Sequence, residues 1–170
     1  FNGEMSETVK RAAFVSGDAV TVLPYDPRRD RVLVIEQFRF APFVRGDRHP
    51  WSLEPVAGRI DAGETPEEAV RREMREEVSL DLGALHHIGS YYPSPGAVTE
   101  YLYSYIGIAD LPDKAAGIGG LEDEAEDIRG MLLGFDELMA LVSSSEAQNG
   151  PLILSALWLA AHRSDLASAS

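Results

Sequence analysis

Cysteine is absent from the 170-residue sequence, which excludes disulfide bonds, thiol nucleophiles and zinc–thiolate sites. No apolar run is long enough to cross a membrane, and no stretch has the pattern of a signal peptide. We therefore expect a cytoplasmic protein with no membrane partner. The sequence begins at Phe1 rather than methionine, which is typical of a chain trimmed at its N-terminus.

Basic residues are scarce, with 15 Lys and Arg against 28 Asp and Glu, and the formal net charge is −13. A chain this acidic is a poor partner for nucleic acid or for an anionic membrane surface. Hydrophobic residues make up 45% of the chain, the ordinary share for a globular protein. At this length we expect one domain, spanning residues 1–170.

The stretch 58–80, GRIDAGETPEEAVRREMREEVSL, contains the clearest helix signals in the chain. Thr65 is followed three residues later by Glu68, which is the spacing of a capping box, and Pro66 suits the first helical position. These signals predict a helix that begins at Pro66. Its apolar residues recur every four positions and form a narrow stripe for the core: Val70, Met74 and Val78.

Three carboxylates lie on one arc of this helix, since Glu73, Glu76 and Glu77 are spaced i, i+3 and i+4. Such a group raises the pKa of its own members by mutual repulsion unless a cation lies among them. Two interpretations stand at this point. A solvated acidic face is the more common one for a helix, and a site for Mg²⁺ and a phosphate substrate is the other.

Residues 58–80, called the box segment below, resemble the Nudix box, G-x5-E-x7-R-E-U-x-E-E-x-G-U, where U is aliphatic. Ser79 departs from the pattern, which has glycine there, and should cost roughly 1 kcal/mol of strain or shift the helix end. The stretch 19–80 resembles the ADP-ribose pyrophosphatase branch in particular, and Pro95 matches a proline that marks this branch. The matching box residues are Gly58, Glu64, Arg72, Glu73, Met74, Glu76, Glu77 and Leu80.

The resemblance implies an α/β/α sandwich with a mixed β-sheet. It also implies a hydrolase that cleaves ADP-ribose to AMP and ribose 5-phosphate with two or more Mg²⁺ ions, for which Mn²⁺ can substitute. Two alternatives stay open. One is a hydrolase of another nucleoside diphosphate, such as GDP-mannose or a dinucleoside polyphosphate, and the other is a non-catalytic module that binds ADP-ribose.

The resemblance also assigns roles to residues of this sequence. It implies that Arg72 orients the box glutamates and that Glu76 is either a ligand or a neighbour that tunes the ligands. The acidic stretch 121–127 is either a solvated loop or a mobile lid, and the resemblance places the general base there at Glu124. The implied metal ligands are the backbone carbonyl of Ala57 and the side chains of Glu73, Glu77 and Glu126.

Three further residues match positions that bind substrate in the family. Arg11 and Arg39 would contact the phosphates or the ribose, and Glu100 would bind substrate across a dimer interface. Each has an ordinary alternative as an exposed charge at a strand end. The resemblance implies a homodimer, and the sequence pattern by itself does not show one.

Alternating and β-branched patterns predict the remaining elements. We expect a loop at 41–50, His86 and His87 exposed in a loop, and Trp51 in the core rather than against a nucleobase. The predicted strands are 11–16, 19–23, 32–38, 51–57, 88–92, 101–108 and 128–133, and two closing helices are predicted at 135–146 and 152–162.

Overall fold

The structure is a computed structural model that describes residues 3–119 and 127–168. Its strands are β1 (Ala19–Asp26), β2 (Arg31–Phe38), β3 (Trp51–Glu54), β4 (Val56–Arg59), β5 (Leu85–Tyr91), β6 (Leu102–Ile108), β7 (Gly117–Gly119) and β8 (Ile128–Gly134). Its helices are α1 (Phe40–Arg45), α2 (Pro66–Val78), α3 (Phe135–Ser143) and α4 (Gly150–Ser168), with a 3₁₀ turn at Asp113–Ala115.

The strands form one mixed sheet with β1 near its centre. The main order is β5-β6-β1-β2-β8-β7, while β3 pairs with β2 and β4 pairs with β1. The pairing of β1 with β6 is parallel, and the other strand pairings are antiparallel. Because β4 and β6 flank the first half of β1, the chain that enters the box segment is fixed at the middle of the sheet.

Helices cover both faces of this sheet, as the alternation along β1 requires. Val20 and Val22 pack toward α2 in one hydrophobic cluster. Leu23 and Tyr25 pack toward α3 and α4 in a second cluster. The predicted α/β/α sandwich with a mixed sheet is therefore confirmed.

Helix α2 begins at Pro66, as its sequence signals predict. The Thr65 side chain accepts a hydrogen bond from the Glu68 N–H, and the Glu68 carboxylate accepts one from the Thr65 N–H. Val70 and Met74 are fully buried, and Val78 packs against the same cluster. The apolar stripe thus holds α2 on the sheet and leaves its glutamates on the adjacent arc.

The helix ends at Val78, and the capping residue Ser79 adopts the left-handed conformation with φ 54° and ψ 38°. The backbone N–H of Ser79 donates to the Arg75 carbonyl, and that of Leu80 donates to the Met74 carbonyl. The helix end therefore stays where the box pattern puts it, and the serine carries strain that glycine would not.

Replacing Ser79 with glycine should therefore stabilise the fold. We expect Ser79→Gly to raise the unfolding free energy by about 0.5–1 kcal/mol, which is the left-handed strain less the extra backbone entropy of glycine. Urea denaturation of the two proteins measures the difference. A Ser79→Ala control keeps the strain and should show no gain, and an equal gain in that control would contradict the explanation.

Several local predictions were wrong. Residues 11–16 form no strand beyond a single parallel bridge between Phe14 and Val98. Residues 41–50 contain part of a short helix, α1. The predicted strand 51–57 is divided at Pro55 into β3 and β4, which pair with different partners. A proline cannot donate a ladder hydrogen bond, so the chain changes partner there.

The aromatic and histidine predictions were also partly wrong. His86 and His87 lie in β5 rather than in a loop, although His87 is exposed as expected, and its ring lies 5.3 Å from that of Tyr105. Trp51 is 37% exposed and contacts Phe38 edge to face, so it is not a core residue. Among the described helices, none is long and apolar enough to cross a membrane.

Candidate active site

Arg72 is the centre of the polar cluster on the exposed side of α2. Its guanidinium forms a two-pronged ion pair with Glu64, with the Nε and one terminal nitrogen each 3.0 Å from a carboxylate oxygen. The other terminal nitrogen donates to Glu73 at 2.7 Å and to Glu76 at 3.0 Å. A further N–H donates to the carbonyl of Arg59 at 2.8 Å. All five donors of the guanidinium are therefore engaged.

This network ties the loop before α2 to the glutamates of α2. Arg59 ends β4, Glu64 lies in the loop, and Glu73 and Glu76 lie on the helix. Because a guanidinium donates in fixed planar directions, it sets the orientation of each carboxylate as well as balancing their charge. The sequence prediction that Arg72 orients the glutamates fits this geometry.

Arg72 and Glu64 also shift each other's pKa. The hydrogen bonds from Arg72 are the main cause that holds the pKa of Glu64 below its usual range. The same pair raises the pKa of Arg72 above the ordinary arginine value, and Glu73 and Glu76 add to that rise. Glu64 therefore stays ionised in mildly acidic solution, and its anchoring role persists there.

Replacing Arg72 with lysine should lower kcat by about 10–100-fold, because one ammonium group cannot bind Glu64 and two helix glutamates at the same time.

Replacing Arg72 with methionine should raise the pKa of Glu64. A lowered pKa in the folded state stabilises the protein above the usual carboxyl range, and that stabilisation is lost as the pH falls. The unfolding free energies of wild type and Arg72→Met should therefore differ most near neutral pH and converge in acid. A constant difference across that range would contradict the assignment.

Gly58 provides the space that Glu73 occupies. A Cβ built on Gly58 would overlap the Glu73 carboxylate, so no larger residue fits there without moving that side chain. Gly58 is paired with Val20 in the centre of the sheet, which leaves its backbone little room to retreat. Ala57, whose carbonyl is a predicted ligand, immediately precedes Gly58 on β4.

Gly58→Ala should therefore displace the Glu73 carboxylate and lower kcat by about 10–100-fold, the usual cost of disturbing a residue that orients a metal ligand. Gly63→Ala tests whether any glycine in this loop is equally sensitive, because nothing lies near its Cβ position and its cost comes only from its positive φ. We expect Gly63→Ala to lose stability while the folded protein keeps its kcat. Equal kcat losses in the two variants would contradict the steric explanation.

Glu77 lies one turn beyond Glu73 on the same side of α2 and is only 3% exposed. Burying a carboxylate costs free energy, and a bound cation is one way to offset that cost. The donor chemistry, which is carboxylate oxygen plus a backbone carbonyl, suits a hard divalent ion. Glu73, Glu77 and the Ala57 carbonyl together offer donor atoms of the kind that such an ion prefers.

Within residues 3–119 and 127–168, no three acidic or histidine side chains are close enough together to hold a metal ion. Arg72 explains part of this arrangement, because it draws Glu73 and Glu76 toward its own guanidinium. The predicted ligand Glu126 and the predicted base Glu124 both lie outside the described residues. The assignment of metal ligands therefore remains a prediction.

The predicted substrate residues lie in two other places. Arg39 follows β2 and forms a two-pronged ion pair with Glu54, at 2.9 and 2.7 Å, in which Glu54 is buried. Arg11 is exposed and donates to the adjacent Lys10 carbonyl. Among the described contacts, neither arginine joins the Arg72 cluster.

Arg11 and Glu100 belong to two segments that lie side by side. The Phe14 N–H donates to Ala97 at 2.8 Å, and the Thr99 N–H donates to Phe14 at 3.0 Å. Arg11 precedes the first of these segments and Glu100 follows the second. Glu100 is partly buried and its charge contributes to the raised pKa of Tyr91, after burial of that phenol.

Sequence reasoning missed Glu54 as the partner of Arg39. Glu54 lies in a strand whose alternation predicts only which face each residue occupies. Its position beside Arg39 depends on the pairing of β3 with β2, in the register Phe38 to Trp51. That register places Glu54 opposite Ile35, four residues before Arg39, so no short-range pattern in the sequence indicates the pair.

We compared the sequence and the structure with those of known proteins. A family model described as a NUDIX domain matches residues 15–153. An ADP-ribose pyrophosphatase of Escherichia coli (strain K12) is 38% identical over 166 residues, which cover 98% of this chain and 78% of the relative. A GDP-mannose pyrophosphatase of Salmonella paratyphi B is 35% identical over 153 residues, covering 90% of this chain and 78% of the relative. A crystal structure of an ADP compounds hydrolase matches with a TM-score of 0.65 at 23% identity, over 85% of this chain and 74% of that one.

Proposed function

The chain belongs to the Nudix family, and from this premise we propose that it hydrolyses the diphosphate bond of ADP-ribose to give AMP and ribose 5-phosphate. The observation that carries the proposal is the cluster in which Arg72 binds Glu64, Glu73 and Glu76 while Gly58 makes room for Glu73. If α2 carried only a solvated acidic face, it would need neither a glycine at position 58 nor an arginine whose five N–H groups are all engaged.

Hydrolases of this family generally depend on divalent metal ions, and we propose two or more Mg²⁺ ions per site, with Mn²⁺ able to substitute. Bound ions would neutralise the diphosphate and stabilise charge on the leaving oxygen. Glu76 is either a further ligand or a neighbour that tunes the others. The residues proposed to hold the ions are Ala57 through its carbonyl and Glu73, Glu77 and Glu126 through their side chains.

The remaining chemistry is assigned to protein groups. Glu124 is proposed as the general base that takes a proton from the attacking water. Arg72 holds Glu73 and Glu76 in fixed orientations and does not itself reach for substrate, since its donors are already occupied. Such preorganisation removes the need to reorient carboxylates as the substrate binds.

Arg39, Arg11 and Glu100 are proposed to bind the substrate. For Arg39 this requires the guanidinium to share its donors between Glu54 and a phosphate or ribose oxygen. Its side chain is 44% exposed, so one edge is accessible while Glu54 holds the other. For Arg11 and Glu100 the support is their position on two adjacent segments.

We also propose a homodimer located in the cytoplasm. The support for the dimer is a patch of exposed apolar side chains, in which Phe38, Phe40, Phe43 and Trp51 are in ring contact. With Val44, which follows Phe43, these residues are between 37% and 69% exposed. A contiguous apolar patch of this kind marks an interaction surface more often than a solvated one. Sedimentation velocity tests the dimer, and a monomer that still turns over would remove the cross-subunit role of Glu100.

A substrate panel tests the proposed function. The values of kcat/KM for ADP-ribose, GDP-mannose and a dinucleoside polyphosphate are measured with Mg²⁺, and the products are identified by chromatography. We expect ADP-ribose to lead and to give AMP and ribose 5-phosphate. The alternative substrate is GDP-mannose, which the 35% identity to a GDP-mannose pyrophosphatase favours. Tight binding of ADP-ribose without cleavage would instead identify a non-catalytic binding module.

A further inference from the structure

The two glycines of β7 differ in what surrounds them. A Cβ built on Gly119 would overlap the backbone carbonyl oxygen of Glu77. A Cβ built on Gly117 would have no heavy atom within 4 Å. Neither glycine has a positive φ, so the backbone at both positions accepts an L-residue. The two sites are therefore a natural matched pair in which only the steric contact differs.

The tight contact falls on the last turn of α2. Glu77 is the residue before Val78, where the helix ends, and its carbonyl is among the last four that receive no hydrogen bond within a helix. Its side chain is the nearly buried carboxylate proposed as a metal ligand. Strand β7 is therefore in close contact with the backbone of Glu77, and the proposed metal site depends on the direction of the Glu77 side chain.

Strand β7, the last strand of the main sheet order, is also held along one edge. It pairs with β8, with Gly117 opposite Gly130 and Gly119 opposite Ile128, and Ile128 is fully buried. Upstream, the Leu111 N–H donates to the buried carboxylate of Asp26, and the Arg31 side chain donates to the Leu111 carbonyl. An added methyl group at residue 119 would therefore push against α2 rather than let β7 drift away.

A cavity of about 190 Å³ lies beside this contact, lined in part by Ser79, Lys114 and Ile118. Protein interiors are close-packed, and a packed neighbour would transmit a push over many residues. The cavity is lined by both the end of α2 and β7, so either segment has room to move and the displacement is taken up locally. The expected consequence of a bulkier residue 119 is a reoriented Glu77, not an unfolded domain.

From these contacts we propose that Gly119 is a positioning residue for Glu77. Its missing side chain lets β7 seat directly on the last turn of α2 and so fixes the direction of the Glu77 carboxylate. The inference rests on the proposed role of Glu77 in binding a divalent ion. Gly119 itself touches neither substrate nor metal in this scheme.

The test compares Gly119→Ala with Gly117→Ala. Mn²⁺ affinity is measured without substrate, by the electron paramagnetic resonance signal of unbound Mn²⁺, and kcat and KM are measured with Mg²⁺. We expect Gly119→Ala to weaken Mn²⁺ binding and lower kcat by about 10–100-fold with KM little changed, and Gly117→Ala to stay within about twofold of wild type in every quantity.

Both variants are also made together with Ser79→Gly, because removing the left-handed strain at residue 79 should offset a loss of stability. Circular dichroism verifies that each protein is folded. A purely structural role for Gly119 would lower the melting temperature and leave the Mn²⁺ affinity of the folded protein unchanged. That result overturns the proposal. If the wild type cleaves no diphosphate but Gly119→Ala still weakens Mn²⁺ binding, the proposed function fails and the positioning role stands.

Discussion

Removal of divalent cations with EDTA should abolish hydrolysis of the diphosphate, and an excess of Mg²⁺ should restore it. We expect this result because Arg72 offsets only part of the negative charge of the site and has no donor left for the substrate. The chain carries a net charge of −13, and the diphosphate is itself anionic. Glu73, Glu76 and Glu77 lie on one arc of α2, so the substrate would approach a strongly negative surface.

Arg72 cannot take the place of the metal. Its five N–H groups are already directed at Glu64, Glu73, Glu76 and the Arg59 carbonyl, at 2.7–3.0 Å. To bind a phosphate oxygen it would have to release a carboxylate, which restores the repulsion that it relieves. Arg39 is likewise engaged with Glu54. Arg39 has only its exposed edge to share with the substrate, so in the proposed scheme bound cations supply the charge that Arg72 cannot.

Two control measurements show whether EDTA acts by removing the metal and not by unfolding the protein. Circular dichroism should show the same fold before and after chelation, because α2 is held by its apolar stripe and by Arg72 rather than by metal. Activity should return with Mg²⁺ or Mn²⁺. Turnover that persists after exhaustive dialysis against chelator would refute the metal-dependent scheme.

The parts of the fold that the sequence predicts well are those with local causes. The start of α2 depends on Thr65, Pro66 and Glu68, which are neighbours in the sequence, and the structure places the helix there. The strain at Ser79 is also local, because the box pattern has glycine at this helix-capping position and serine takes the same left-handed conformation there. Runs of apolar β-branched residues similarly locate β1 and β2, although β1 continues to Asp26, past the predicted end at Leu23.

The parts that the sequence does not predict depend on contacts between distant segments. Glu54 becomes the partner of Arg39 only through the register of β3 on β2. Gly119 stands in a glycine-rich stretch, and nothing in that stretch indicates that the carbonyl of Glu77 lies against it. Pro55 gives a signal for a break, but the exchange of pairing partners around it is a property of the whole sheet.

Glu77→Gln should lower kcat by at least about 10²–10³-fold, the cost typical of losing one group that stabilises charge in the transition state. The amide has nearly the same shape as the carboxylate, so the packing around this 3% exposed side chain should be preserved. What changes is chemical, since one charge is lost and one acceptor oxygen becomes an N–H₂ donor that cannot bind a cation. Mn²⁺ affinity should fall together with kcat.

Glu67→Gln is the matched control for this substitution. Glu67 lies in the first turn of the same helix, is exposed, and accepts a hydrogen bond from Tyr105 at 3.3 Å, which an amide oxygen can also accept. It should leave kcat and Mn²⁺ affinity unchanged. Glu124→Gln provides the second comparison, because a general base should affect kcat without weakening Mn²⁺ binding. If Glu77→Gln binds Mn²⁺ as tightly as the wild type, Glu77 is not a ligand, and its burial at the end of α2 requires another explanation.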